Sequence, residues 1–172
     1  MASQNQNPNL NPNSLINELS KYTYSNTNHL FTKLDTLVRV VNIYDGDTCT
    51  IVFKVGDHYY KHNVRLYGID TCEMKSKNDE QKQKAIQAKQ RLFELITKTK
   101  LDSNHTKKQL LEILNNQVYI VRAKINGLDK YGRLLCELYD IDQYNKSYSA
   151  ILLEENLAYS YDGGTKKLDF VG

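Results

Sequence analysis

Proline is nearly missing from this chain. Pro8 and Pro12 are the only two, both within the first twelve residues, so nothing from Thr32 to the C-terminus removes a backbone N–H from a strand ladder or a helix. Cysteine is scarce as well. Cys49, Cys72 and Cys136 cannot all pair and show no C-x-x-C spacing, which excludes a zinc knuckle and a disulfide framework and leaves reduced thiols in an intracellular setting. No apolar run approaches the length of a membrane span, and "MASQNQNPNLNPNSLINELS" has neither a basic n-region nor an apolar h-region. The expectation is a soluble, unsecreted protein of the cytoplasm or nucleus, with no membrane partner. Excess charge is small too: 23 Lys and Arg face 20 Asp and Glu, for a net +3 and a pI near 8.6. That balance suits a polyanion without demanding one.

What is present is enough for one domain. With 172 residues, 40% hydrophobic and 25% charged, the chain has the size of a single globular unit plus a tail. Residues 1–31 are Asn-rich, hold both prolines, and bury little apolar surface, so they are expected to form a flexible arm. The folded domain is expected over 32–172. There, "TLVRVVNIY" (36–44), "DTCTIVFKV" (47–55) and "YYKHNVRLY" (59–67) are rich in β-branched and aromatic residues and are separated by Asp45-Gly46 and Gly56-Asp57, which reads as a three-stranded meander. Asn78 with Gln81 resembles a capping box, and Ala85, Ala88, Leu92, Leu95 and Ile96 recur at helical spacing. A second helical piece covers 106–116, two more strands cover 118–125 and 133–140, and a closing helix covers 147–158. Three strands, helices, two strands and a helix is the order of an α+β, OB-fold five-stranded β-barrel with two to three helices.

Three short clusters fall where strands begin or end, the places at which a barrel carries its sites. The first is Asp45-Gly46-Asp47-Thr48. Taken alone it is a turn, and it does not continue as an EF-hand loop. The second, "RLYGIDTCE" (65–73), puts Arg65 inside a strand and acids just beyond its end. If the barrel gathers Asp47, Asp70 and Glu73, their mutual repulsion calls for a cation, and hard oxygens without imidazole suit Ca²⁺ or Mg²⁺ better than zinc. The third is "DKYGR" (129–133), where Arg133 gains meaning beside Arg65, because two guanidinium forks can hold a phosphodiester.

D-G-D-T, then R-x-x-x-x-D-T-x-E, then D-K-Y-G-R, in this order over an OB-like strand pattern, resembles the staphylococcal (micrococcal-type) nuclease family, the thermonucleases. The resemblance runs from Val38 to Tyr161, with 98–116 as extra length. It implies a nuclease-like fold and a Ca²⁺ ion held by Asp47, Asp70 and the carbonyl of Thr71. It also implies Glu73 as the base that activates water, and Arg65 and Arg133 as phosphate-holding residues. Lys130, Tyr131 and one of Tyr159 or Tyr161 match positions near bound nucleotide. The implied activity is calcium-dependent cleavage of the 5′ P–O bond of DNA and/or RNA, leaving 3′-phosphate ends; the sequence leaves the oligomeric state open, with a monomer as the expectation. "AYSYDGGTKK" (158–167) is similar to shorter nuclease-like proteins of large DNA viruses.

The rival reading is a non-catalytic OB-fold module that binds nucleic acid or protein; such domains usually lose the acids or the arginines, and here all six positions stand. His58 and His62 do not make a zinc pair, since four residues along a strand separate them by about 13 Å. Cys49 and Cys136 read as small core residues. Cys72 stands where the family usually has proline, and a thiol is a poor partner for a hard ion, so it is expected to be a bystander.

Overall fold

The computed structural model describes residues 12–27, 29–101 and 105–162. The chain divides into two units, Met1–Leu30 and Phe31–Gly172. The first contains helix α1 (Pro12–Leu19), an element that its Asn-rich composition did not announce.

The second unit is a closed barrel. Its strands are β1 (Leu34–Ile43), β2 (Thr48–Val55), β3 (His58–Leu66), β5 (Ile120–Leu128) and β6 (Leu134–Tyr139), in spatial order β1-β2-β3-β6-β5. Every neighbouring pair is antiparallel except β3 and β6, whose parallel pairing of Val64, Arg65 and Leu66 with Leu134, Leu135 and Cys136 joins the meander to the late hairpin. Closure leaves no open edge. Alternation sorts the side chains: Cys49, Ile51 and Phe53 of β2 and Leu134, Cys136 and Leu138 of β6 point inward and are buried. On β1 the register shifts between Val40 and Asn42, so that Ile43 rather than Asn42 turns into the core. Such a bulge inserts one residue and reverses the phase of the strand.

Helix α2 (Asp79–Thr97) buries Ala85, Ala88, Leu92, Phe93 and Ile96. Asn78 caps it by accepting from the N–H groups of Glu80 and Gln81, but the expected reciprocal bond is not made, because the Gln81 side chain is held instead by the Ser76 hydroxyl at 2.8 Å. The full capping box belongs to α3 (Lys107–Asn116), between Thr106 and Gln109. Helix α4 (Tyr148–Glu154) begins at the Ser147 cap and stops short of the expected 158, since Asn156 takes a left-handed conformation (φ 56°). A bidentate ion pair from Arg91 of α2 to Glu155, with both bonds at 2.7 Å, ties α2 to the end of α4. Two short strands, β4 (Ile69–Asp70) and β7 (Tyr159–Ser160), pair beside the barrel with Asp70 opposite Tyr159.

Candidate functional site

The clusters at 45–48, 65–73 and 129–133 are far apart in sequence, and the barrel brings them to one cleft of about 1020 Å³. Arg65 lies between the buried Val64 and Leu66 on β3, so alternation turns its side chain away from the core. Asp47 sits at the entry to β2, where its carbonyl accepts from the Leu66 N–H at 2.8 Å and extends the β2–β3 ladder by one residue. Gly68 (φ 80°) turns the chain out of β3 into β4 and delivers Asp70.

Arg65 is the hub. Its Nη1 lies 3.2 Å from Asp47 Oδ2, and its Nη2 donates to Asp70 Oδ1 at 2.9 Å and to the Ile69 carbonyl at 3.2 Å. Asp47 also accepts from the Thr71 N–H at 3.2 Å and the Thr48 hydroxyl at 2.8 Å. The Tyr159 hydroxyl donates to Asp70 Oδ2. Asp47, Asp70 and Thr71 are only 3%, 4% and 3% exposed, whereas Glu73, two residues on, is exposed at the cleft. Burial, and after it the nearby Asp45 carboxylate, push the Asp47 carboxyl up to about 7 against the pull of Arg65. One guanidinium does not offset two carboxylates in so little water.

Gly46 shows how tightly this corner is built. A Cβ there would stand 2.6 Å from Ala88 Cβ and 3.0 Å from Thr71 Cγ2. Helix α2 therefore packs directly on the backbone of the D-G-D-T turn, and Gly46 fixes the spacing between the segments of Asp47 and Thr71.

The "DKYGR" loop is organised by Asp129. Its carboxylate accepts from the N–H groups of Tyr131 (2.8 Å) and Arg133 (2.9 Å) and from Arg133 Nε (2.7 Å). Burial alone would raise the Asp129 carboxyl, but these bonds outweigh it and hold it below the usual aspartate range. The Arg133 guanidinium is thus anchored through Nε, and its side chain lines the cleft. Tyr131 is 73% exposed, with Lys130 Nζ 5.1 Å and Arg133 Cζ 5.6 Å from its ring centroid. Tyr161 also lines the cleft, its ring centroid 5.2 Å from Arg65 Cζ.

The expected residues thus gather, and two kinds of role fall among them. Asp47, Arg65, Asp70, Thr71, Glu73, Lys130, Tyr131, Arg133 and Tyr161 line the cleft, while Tyr159 reaches it through Asp70. Asp45 and Asp129 received no role from sequence reasoning; the four-residue spacing of Asp129 to Arg133 was the available signal for the second. The family comparison agrees with this geometry: the pattern of the staphylococcal nuclease homologue matches residues 63–169. The chain belongs to that family. A comparison with curated proteins found no match. As a nuclease homologue, the chain is expected to bind a divalent cation, and its residues fit one. Two buried carboxylates supply hard oxygen donors, and a cation beside them would relieve the charge that Arg65 leaves uncompensated. No group of three or more His, Cys, Asp and Glu side chains is placed to hold an ion among the described residues, so carbonyl and water oxygens would complete the shell. The core thiols are not rivals for this chemistry: burial raises Cys49 and pushes Cys136 up to about 12.

Proposed function

We propose that the chain is a calcium-dependent phosphodiesterase that cleaves DNA and/or RNA at the 5′ P–O bond and leaves 3′-phosphate ends. The observation that carries this reading is the meeting of three separate motifs in one cleft, lined by buried acids, an exposed glutamate and two guanidinium groups. Asp47, Asp70 and the Thr71 carbonyl would hold Ca²⁺, which when bound supplies Lewis-acid stabilisation of charge on a phosphate oxygen. Glu73, the exposed acid, takes the proton of the attacking water. Arg133, oriented through its Nε by Asp129, presents its terminal nitrogens to the phosphodiester. Arg65, paired with Asp47 and Asp70, adds positive charge beside them, and charge-assisted bonds from both arginines stabilise the five-coordinate transition state. Lys130, Tyr131, Tyr159 and Tyr161 bind the substrate, with exposed rings as stacking surfaces for bases.

The test is incubation of purified protein with supercoiled plasmid and with RNA, in Ca²⁺ or in EGTA. Cleavage in Ca²⁺ alone is expected. Each of Arg65→Ala, Glu73→Gln and Arg133→Ala should lower the rate by about 100-fold or more. Absence of calcium-dependent cleavage of both substrates would sink the enzyme reading and leave a binding module.

A further inference from the structure

A second cationic and aromatic pair lies next to Asp45, a residue of the cleft lining. Tyr44 follows the last residue of β1 and is 55% exposed. Its N–H and that of Asp45 both donate to the Thr48 carbonyl, at 2.9 and 3.3 Å, so the turn that carries Asp47 also fixes the backbone of Tyr44. Lys107, in the first turn of α3, places its Nζ 5.9 Å from the Tyr44 ring centroid. Lys89 of α2 is half-buried nearby. Burial holds the Lys89 ammonium below the usual lysine range; Asp45 pulls it up, and Lys107 pushes it down. The lysines in ion pairs among the described residues are Lys54, Lys84, Lys98 and Lys146, so neither Lys89 nor Lys107 is neutralised in that way.

We propose that Tyr44 and Lys107 form a second nucleotide subsite for single-stranded nucleic acid, which holds a neighbouring phosphate and base of the strand whose scissile phosphate lies in the cleft. The proposal rests on the nuclease reading for its choice of ligand. Its geometry is independent of that reading. A phosphate at the Lys107 ammonium gains a charge-assisted contact, and the exposed Tyr44 ring offers a base the stacking surface that sequence-tolerant binders use. Asp45 connects the two places, since it lines the cleft and is adjacent to Tyr44. Three residues separate Tyr44 from Asp47, a span of at most about 11 Å, within reach of an adjoining nucleotide. Helix α3 lies in the 98–116 stretch that the family motifs do not include, so the extra length supplies one wall of the subsite.

The experiment uses the full chain carrying Glu73→Gln to arrest cleavage, in Ca²⁺, with fluorescein-labelled oligothymidylates of about three and about twelve nucleotides; single OB folds cover about 4–16. Fluorescence anisotropy gives the affinity gained by lengthening the strand. Adding Tyr44→Ala and Lys107→Ala together should reduce that gain about tenfold, and Lys107→Ala alone should lower the salt slope by about one. Thermal melting confirms that the variants, altered at exposed positions, remain folded. An undiminished gain in the double variant overturns the subsite, as does binding of neither oligonucleotide by the parent. A length gain that depends on Tyr44, in a protein whose wild-type form shows no calcium-dependent cleavage, keeps the subsite and rejects the nuclease reading.

Discussion

Gly46, Asp129 and Cys72 each show what a single residue contributes around the cleft. Gly46→Ala would drive a methyl into Ala88 and Thr71, at the 2.6 and 3.0 Å separations given above. Overpacking of this kind costs about 1–3 kcal/mol, and urea unfolding should show that loss together with weaker calcium binding. Ala88→Gly in the same chain should restore part of both, beyond what its own helix penalty of about 1 kcal/mol allows; a strictly additive pair would show that the two residues do not press on each other. Cys72 is buried next to Thr71, at the place where proline would restrain the backbone. Cys72→Ser should cleave at the wild-type rate, and Cys72→Pro should keep or tighten the dependence on calcium. Loss of cleavage in the serine variant would revive thiol chemistry. Asp129 was legible only as part of a motif, because a carboxylate that orients an arginine looks in sequence like any turn-forming aspartate.

Among the elements, the long ones were readable and the two-residue ones were not. Strands β1, β2, β3 and β6 and helices α2 and α3 follow runs of alternating or helical periodicity, and their ends fall within a few residues of the expected places. Strands β4 and β7 contain two residues each. Two residues carry no period, so the pairing of Asp70 with Tyr159 is set by chain direction after Gly68 and after α4 rather than by any local pattern. Tyr159→Phe separates the two jobs proposed for this ring. It keeps a stacking face and removes the hydroxyl that Asp70 accepts. Weaker calcium binding with unchanged oligonucleotide affinity would mark Tyr159 as a positioning residue for Asp70, and the reverse would mark it as a contact for the base. At α3, Thr106→Ala removes both halves of the capping box and should cost about 1 kcal/mol in urea unfolding.

For the whole molecule, stability should depend on calcium and on acid in ways the charged groups define. Ca²⁺ at about 100 times its dissociation constant should stabilise the native protein by about 2.7 kcal/mol, and Asp47→Asn should abolish that increment. Acid acts through carboxylates held below their ordinary range. Asp35 is kept low first by its hydrogen bond from Arg122, Asp129 by its bonds from Arg133 and Tyr131 in spite of burial, and Asp140 by Lys98. A carboxylate whose folded pKa is depressed contributes stability above its unfolded value of 3.8, and that stability is lost as pH falls through the folded value. Asp47 acts in the opposite sense: held up to about 7, it contributes stability that is lost as pH rises from about 4 through 7 in EGTA. Unfolding midpoints in EGTA should therefore fall on either side of a maximum near pH 4. The share of the acid side that comes from the exposed Asp35 pair should shrink at high salt; a midpoint that is flat from pH 3 to 8 would contradict both assignments.

Sequence alone determined the barrel strands, the three helices that pack on them, the family, and the identity of the residues that meet in the cleft, because periodicity and turn chemistry are local and the motifs lie at the ends of local elements. Tertiary structure decided which of those residues touch. The parallel pairing of β3 with β6 carries Arg133 to the mouth that Arg65 faces, and the packing of Ala88 on Gly46 sets the floor on which Asp47 and Thr71 meet. Both depend on contacts between residues more than forty positions apart, and no local pattern encodes a distance of that kind. The packing of α3 on β1 puts Lys107 beside Tyr44, which is why a stretch outside the family motifs faces the proposed path of the substrate.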